Sequence, residues 1–321
     1  MRIAIAGAGM SGAYLHRLLK EEGIRSDVYD IERRTRCGLH SCAWGASPTS
    51  EVQRLVSRFL EPSDYELQRF DSINIEGQDI AADLLTIDKP RLVNDLLDGS
   101  EVRLQPFDPN DYDRVIDATG VARAFLGPTS GPQFLAPCSQ FRVRTDEKLD
   151  LSIRISSIGY EWCFPLGNNE YHLGFGNLKA DASEYRPSAT RAMENGKVLC
   201  RCSAKVRLSS PQATQPFVNG NVIGVGESIG AVAPLAADGI VYAMQTSEML
   251  MERWDHPERY AADVLKRFEW MGKERQGLNR LYSGKMPSIG ELRAFLHHTK
   301  VAGLTLDLRQ AMFFFRRMLE S

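Results

Sequence analysis

The stretch RIAIAGAGMSG, residues 2–12, decides the fold that this sequence predicts. Its first five residues are typical of a short buried strand, and three glycines follow at once in the pattern G-x-G-x-x-G. The next segment, AYLHRLLKEEG, has the character of a helix that ends at Gly23, and SDVYD predicts a second strand that ends at Asp30. Strand, glycines, helix, strand and acid in this order predict a unit that binds a dinucleotide.

Each glycine of this unit has its own physical role. Gly7 permits the tight turn, Gly9 lets a pyrophosphate approach the backbone, and Gly12 lets the helix pack closely on the strand. The helix N-terminus offers unpaired N–H groups and the positive end of its dipole to the phosphates. The predicted dinucleotide-binding residues of the unit are Gly7, Gly9, Met10, Ser11, Gly12, Asp30 and Ile31. The unit alone does not separate NAD from FAD.

Composition sets the broad class. The chain has 321 residues, of which 43% are hydrophobic and 25% charged, as expected for a globular protein with a substantial core. A net charge of -2 gives no indication of nucleic acid as a partner. We see no secretion signal and no apolar run long enough to span a bilayer, so the expected location is the cytoplasm, which disfavours a stable disulfide.

A second glycine-rich turn lies far downstream, within residues 220–250. NVIGVG predicts a strand and ADGIVYAMQTSEMLMERW a helix, and between them stand Gly226, Glu227, Pro234 and Gly239. This stretch resembles the second FAD fingerprint of the para-hydroxybenzoate-hydroxylase-like flavoproteins, and within that group the geranylgeranyl reductase family. The family usually has Asp after the glycine. Glu227 is one methylene longer, which keeps the same carboxylate chemistry.

The resemblance implies FAD as the cofactor and extends its binding site. The acid after the glycine would bond the ribityl chain, and the helix start would face the pyrimidine end of the flavin, where a helix dipole stabilises negative charge. DKPRLVNDLL resembles the family's helix start that carries an arginine near FAD, and YDRVIDATG resembles the strand that ends against the adenosine and pyrophosphate. The residues implied in this way are Arg91, Ala118, Thr119, Gly120, Gly226, Glu227, Pro234, Asp238, Gly239 and Ile240.

An aromatic hairpin is predicted between the two glycine-rich turns. In GYEWCFPLGNNEYHLGFG, Tyr160, Trp162 and Phe164 alternate and therefore share one face of a strand, with Pro165 next to them. Aromatic stripes most often belong to a core. Archaeal geranylgeranyl reductases carry a similar Y-x-W-x-F-P, so the resemblance instead implies that these four residues line a substrate cavity above the flavin.

The segment RCGLHSCAWG, residues 36–45, holds two cysteines whose role stays open between a metal, a disulfide, redox chemistry and a pocket wall. Zinc would require Cys200 and Cys202 as further ligands, and the spacings do not match the usual pairing. The resemblance implies that Cys37 and Gly38 line the flavin pocket and that Cys42, Trp44 and Gly45 continue the wall. Cys37 and, less strongly, His40 are the candidate catalytic residues; the alternative for the Cys37 thiol is inert packing.

The predicted architecture is an α/β fold with a Rossmann-like FAD-binding domain, an inserted β-rich substrate domain and a helical C-terminal segment. The FAD-binding domain comprises residues 1–130 and 216–265, the substrate domain 131–215, and the helical segment 266–321. In the last helix, Leu308, Ala311, Met312 and Phe315 follow i, i+3, i+4, i+7 spacing beside several arginines. This helix would either dock on the core or rest on a membrane surface.

The functional expectation is an FAD-dependent reductase that saturates C=C bonds of an isoprenoid or a prenylated lipid. The alternative is another flavin reaction on the same fold, such as hydroxylation, halogenation or a biosynthetic dehydrogenation, and a third reading is a flavoprotein without catalysis that binds a lipid or partner. Only one complete nucleotide cradle is visible. Electrons would therefore come from an external donor, either a nicotinamide, a ferredoxin or another carrier.

Overall fold

The structure is a computed structural model, and it describes residues 1–31, 43–156, 159–177 and 195–320. The helices are α1 (Met10–Glu21), α2 (Thr49–Val56), α3 (Lys89–Leu97), α4 (Ile240–Glu252), α5 (Pro257–Arg267), α6 (Glu269–Tyr282), α7 (Ile289–Val301) and α8 (Leu308–Glu320). The strands are β1 (Ile3–Ala6), β2 (Asp27–Tyr29), β3 (Gly45–Ala46), β4 (Glu66–Ile75), β5 (Gln78–Ile87), β6 (Val102–Arg103), β7 (Arg114–Asp117), β8 (Leu135–Arg144), β9 (Ser152–Ser156), β10 (Gly159–Gly167), β11 (Glu170–Asn177), β12 (Lys197–Arg207), β13 (Val218–Asn219), β14 (Val222–Gly224) and β15 (Leu304–Thr305).

The first sheet is built around the N-terminal unit. Its strand order is β13-β14-β7-β1-β2-β6, and the five strands from β14 to β6 are parallel. Strand β1 is buried along its whole length, as its apolar run predicts, because α1 packs on it and residues of α3 and α4 belong to the same hydrophobic core. The parallel strands place their carboxyl ends at one edge, which is where ligands bind in open α/β sheets.

The second sheet stands beside the first and has the order β12-β8-β11-β10-β9-β4-β5-β15, with β3 paired to β5. The predicted hairpin is present as β10 and β11, whose register pairs Trp162 with Gly174 and Phe164 with His172. The fold class predicted from the sequence, a Rossmann-like sheet joined to a β-rich part and helices, is therefore observed.

The second sheet includes strands that precede the predicted domain boundary at residue 130. The long hairpin β4–β5 and the short strand β3 belong to the second sheet, although residues 45–87 fall inside the predicted FAD-binding domain. Strand β4 runs parallel to β9, and this pairing ties the segment to the inserted part. Such pairing joins residues far apart in sequence, so local patterning does not reveal it.

The C-terminal segment is helical as predicted, apart from the short strand β15, which pairs with β5. Helix α8 docks on the β4–β5 hairpin through Phe313 and Phe314, which pack with Ile73, Ile80 and Leu151. Arg317 pairs with Glu76 at 2.9 Å on the same side. Met312, one residue of the predicted stripe, is 64% exposed and does not take part in this docking.

None of the helices within the described residues combines the length and the apolar character that crossing a membrane requires.

Candidate functional site

Three chain corners meet at the carboxyl edge of the first sheet. Strands β1, β7 and β14 are neighbours, and the chain leaves them at Gly7, Ala118 and Val225. Ala118 N donates to Ala6 O at 2.8 Å, which ties the first corner to the second. A Cβ added to Gly226 would lie 2.8 Å from Ser11 Oγ, so the third corner touches the start of α1. The two glycine-rich turns predicted from the sequence therefore converge on one place.

The three glycines of the first turn differ in what surrounds them. Gly7 has a φ of +106°, and a Cβ there would lie 2.3 Å from Ala118 O. A Cβ on Gly12 would lie 1.8 Å from Gly7 O, so the close packing of α1 on β1 requires glycine. Gly9 has no atom within 4 Å of an added Cβ. The space beside Gly9 is thus open, as the close approach of a pyrophosphate to the backbone would require.

Asp30 stands at the end of β2 beside this space. Its carboxylate accepts hydrogen bonds from the backbone N–H of Ala8 at 3.0 Å and of Ile31 at 2.8 Å. Asp30 therefore faces the glycine turn, as expected of an acid that receives a ribose. The Ile31 side chain is 65% exposed.

Glu227 faces the second and third corners together. Its Oε1 accepts from Arg207 N at 2.7 Å, and its Oε2 lies 3.2 Å from the position of a Cβ on Gly120. Burial raises the pKa of Glu227, while Arg207 and Lys89 act in the opposite direction. The Arg207 guanidinium is itself held by Gln133 and by Val121 O. Glu227 is thus a fixed carboxyl group between the corners.

The loop before α4 brings Asp238 and Gly239 to the site. Ala237 has a φ of +51°, and Asp238 O accepts from Ala233 N at 2.9 Å, which closes the loop after Pro234. The Asp238 carboxyl accepts from Ile240 N at 3.2 Å and hydrogen-bonds to the Ser47 side chain. Burial raises the pKa of Asp238 to about 6.

The aromatic hairpin reaches this loop. The Tyr160 hydroxyl donates to Ala236 O at 2.9 Å. The Trp162 indole lies on Gly174, where a Cβ would be 2.2 Å from the ring, and its Nε1 donates to Gln140 at 3.1 Å. The Phe164 ring packs against Gly45 of β3, and Pro165 O accepts from Thr86. The predicted wall therefore stands next to the start of α4.

Arg91 lies away from the corners. Its side chain is 53% exposed, donates to Asp64 O at 2.7 Å and stacks on Tyr65. The basic residue of this helix start that faces the site is Lys89, which acts electrostatically on Glu227, Asp238 and His172. Residues two apart on a helix point in different directions, so the side chains diverge at the first turn of α3.

The structure adds further residues to the site. His172 on β11 is 2% exposed, its Nδ1 has no hydrogen-bond partner, and burial lowers the pKa of its imidazole to about 3. It meets the Trp44 ring edge-on at 4.6 Å. Cys138 on β8 lies beside Gly176, and burial together with Glu227 raises the pKa of its thiol to about 12. The sequence could have indicated His172, because the alternation in β10 and β11 places it on the same face of the hairpin as Gly174, which pairs with Trp162.

Asp117 at the end of β7 organises the middle corner. It is fully buried, and it accepts hydrogen bonds from Thr119, Phe125 and Leu126. The sequence shows it only as the last residue of a strand.

Cys37, Gly38, His40 and Cys42 lie outside the described residues. Within the residues that are described, no group of three His, Cys, Asp or Glu side chains is arranged to hold a metal ion.

Comparison with known proteins gives relatives at low identity. No family model matches the chain. The uncharacterized protein MJ1182 of Methanocaldococcus jannaschii is 24% identical over 87% of this chain and 91% of the relative. Among solved structures, a geranylgeranyl bacteriochlorophyll reductase-like protein from Thermoplasma acidophilum superposes with a TM-score of 0.72 at 14% identity, covering 99% of this chain and 98% of that one.

Other similar structures carry different flavin chemistries. A flavoprotein/dehydrogenase from Cytophaga hutchinsonii gives a TM-score of 0.62 at 12% identity, over 100% of this chain and 99% of that one. The probable FAD-dependent monooxygenase pqsL of Pseudomonas aeruginosa gives 0.62 at 16% identity, over 92% and 99%. The chain therefore has the fold of geranylgeranyl reductase-like flavoproteins, as the sequence predicted. These likenesses concern the fold and leave the reaction open.

Proposed function

We propose that this chain is an FAD-dependent reductase that saturates C=C bonds of an isoprenoid or a prenylated lipid. The observation that carries the proposal is the contact between the aromatic hairpin and the loop before α4, which joins an apolar wall to the corner predicted to hold the flavin. The similar fold of the reductase-like protein from Thermoplasma acidophilum supports this choice among flavin reactions.

The residues at the three corners fit FAD. Gly9 leaves open space for the pyrophosphate, Asp30 would receive the adenosine ribose, and Glu227 would bond the ribityl chain. The start of α4 would face the pyrimidine end, where its dipole favours negative charge. Bound FAD, once reduced by the external donor, would supply the hydride that this reaction needs.

The hairpin would shape a dry cavity for the isoprenoid. Trp162 is 9% exposed and lies flat on Gly174, so its ring is fixed in orientation. His172 stays neutral at physiological pH because burial lowers its pKa to about 3. Neutral and aromatic groups suit a chain of alkene units, and they exclude water from the reacting carbons.

A proton must reach the second carbon. Cys37 and His40 remain the proposed candidates, and Cys37→Ala should lower turnover while FAD stays bound. The Cys37→Ser protein is the matched control, since it keeps a polar hydrogen at the same place. Normal turnover in both variants would remove Cys37 from the mechanism.

The electron donor is proposed to be external, either a nicotinamide, a ferredoxin or another carrier. A peripheral membrane contact would use the outward side of α8, where Met312 is 64% exposed. Flotation with liposomes compares the full chain with residues 1–303, and equal partitioning of the two would exclude this contact.

Anaerobic turnover tests the proposed reaction. The reduced protein is incubated with geranylgeranylated lipid, and we expect a gain of about two mass units for each bond saturated, since hydride and proton are added together. A colourless preparation of the same protein, which carries no FAD, serves as the negative control. No gain in mass over several prenyl substrates would contradict the proposal, and oxygen consumption coupled to a hydroxylated product would favour the hydroxylase alternative.

A further inference from the structure

A buried polar pair lies behind the loop that precedes α4. Glu274 on α6 and His298 on α7 are 0% and 2% exposed, and Glu274 Oε1 lies 2.6 Å from His298 Nδ1. The other carboxylate oxygen of Glu274 accepts from Leu235 N at 3.1 Å. The pair therefore connects the C-terminal helices, to which the proposed reaction assigns no role, with the loop that carries Asp238.

His298 has one further polar atom available. Its Nε2 is buried and has no hydrogen-bond partner. Burial lowers the pKa of His298, but Glu274 and Asp238 outweigh this effect and the pKa is raised. The imidazole held by Glu274 thus acts electrostatically on Asp238 and lowers the pKa of its carboxyl.

Asp238 is surrounded by groups from several elements. Ser47 bonds its carboxyl, and Ile240 N donates to it at the start of α4. The charged and titratable groups that act on it are Lys89 from α3, His298 from α7, Tyr160 from β10 and Tyr242 from α4. Burial is the largest influence and raises the pKa of Asp238 to about 6, while Lys89 and His298 lower it.

Reduction would add negative charge to the flavin, and this charge would repel the carboxylate of Asp238. The start of a helix favours negative charge on a neighbouring group, and a second negative charge nearby repels it. Two electrons added to a flavin beside Asp238 would therefore favour the neutral carboxylic acid. The proton that neutralises Asp238 would come from solvent, and the electrons from an external reductant.

We propose that Asp238 takes up a proton when the bound FAD is reduced, and that the Glu274–His298 pair holds the loop which presents it. This inference rests on the proposed FAD site. It makes Asp238 a residue that couples reduction to proton uptake, in addition to any contact it makes with the cofactor.

Redox titration of the holoenzyme against pH tests the proposal. Above pH about 6 the wild-type midpoint potential should fall more steeply than below it, because one extra proton accompanies each two electrons. For a two-electron couple, one extra proton steepens the fall of the midpoint potential by about 30 mV per pH unit. Asp238→Asn should lose this change of slope. His298→Gln should move it to higher pH, since His298 lowers the pKa of Asp238.

The control is Asp263→Asn, which removes a surface carboxylate paired with Arg253 and should keep the wild-type profile. If Asp238→Asn binds FAD and retains the change of slope, the proposal is overturned. If that variant does not fold, the wild-type titration decides, because a profile without steepening above pH about 6 contradicts the proposal. Failure of the wild-type protein to bind FAD is a different result, which overturns the proposed function itself.

Discussion

Gly9 and Gly12 belong to the same turn, but the structure requires glycine at the two positions for different reasons. Gly12 has backbone 1.8 Å from an added Cβ, whereas Gly9 has nothing within 4 Å and a φ of -82° that any residue adopts. The sequence predicts both roles, because the spacing of the glycines is specific to a strand, a turn and a helix. We therefore expect a substitution at Gly12 to affect folding and a substitution at Gly9 to affect cofactor binding.

Alanine at each position gives opposite results. Gly12→Ala should lower the free energy of unfolding by about 1–3 kcal/mol or more, because backbone must move to admit the Cβ. Gly9→Ala should leave the unfolding of the cofactor-free protein within about 1 kcal/mol of wild type but weaken FAD binding by at least about tenfold. Chemical denaturation and FAD titration measure the two effects. Equal FAD affinity in Gly9→Ala and wild type would count against the cradle.

His172 makes stability depend on pH. Its pKa is about 3 in the folded protein and 6.5 as an exposed group, so protonation favours the unfolded chain. Its contribution is therefore fully present above pH 6.5 and is lost as the pH falls towards the folded value. Between pH 7 and 5, the wild-type free energy of unfolding should fall about 2 kcal/mol more than that of His172→Gln. Parallel losses in urea denaturation of the two proteins would contradict this burial of a neutral imidazole.

For helix α8, the periodicity of the sequence predicts the helix but not the face through which it docks. The spacing predicts an amphipathic helix, which is observed, but two faces of this helix carry apolar residues, and only contact with β4 and β5 selects between them. Arg91 and Lys89 present the same difficulty, since the composition of α3 does not fix which basic side chain turns towards the site. The alternation of Tyr160, Trp162 and Phe164 was more informative, because a strand has only two faces.

The docking of α8 is tested by two matched alanine substitutions in this helix. Phe314→Ala should destabilise the protein by about 2–4 kcal/mol, because its ring is 8% exposed and packs on Ile73 and Ile80. Met312→Ala should change stability by less than about 0.5 kcal/mol, since that side chain is 64% exposed. Thermal or urea unfolding of the two variants measures the difference. Equal losses would mean that the helix docks through another face.

At the scale of the whole molecule, two sheets meet around one site. The order of motifs along the chain was enough to predict the Rossmann-like sheet, the hairpin between the glycine-rich turns and the helical end. It could not place β3, β4 and β5 in the second sheet, nor show that Glu274 reaches the loop before α4 and pairs with His298. These contacts join distant residues and depend on how the sheets pack rather than on any local pattern.

We propose that the three chain corners at Gly7, Ala118 and Val225 form a single FAD site. The most direct test is the absorption spectrum of the purified wild-type protein together with a titration by added FAD. We expect one FAD bound per chain, with the visible bands of a protein-bound flavin that remain after gel filtration. A folded, colourless protein whose spectrum and stability do not change when FAD is added would contradict the account.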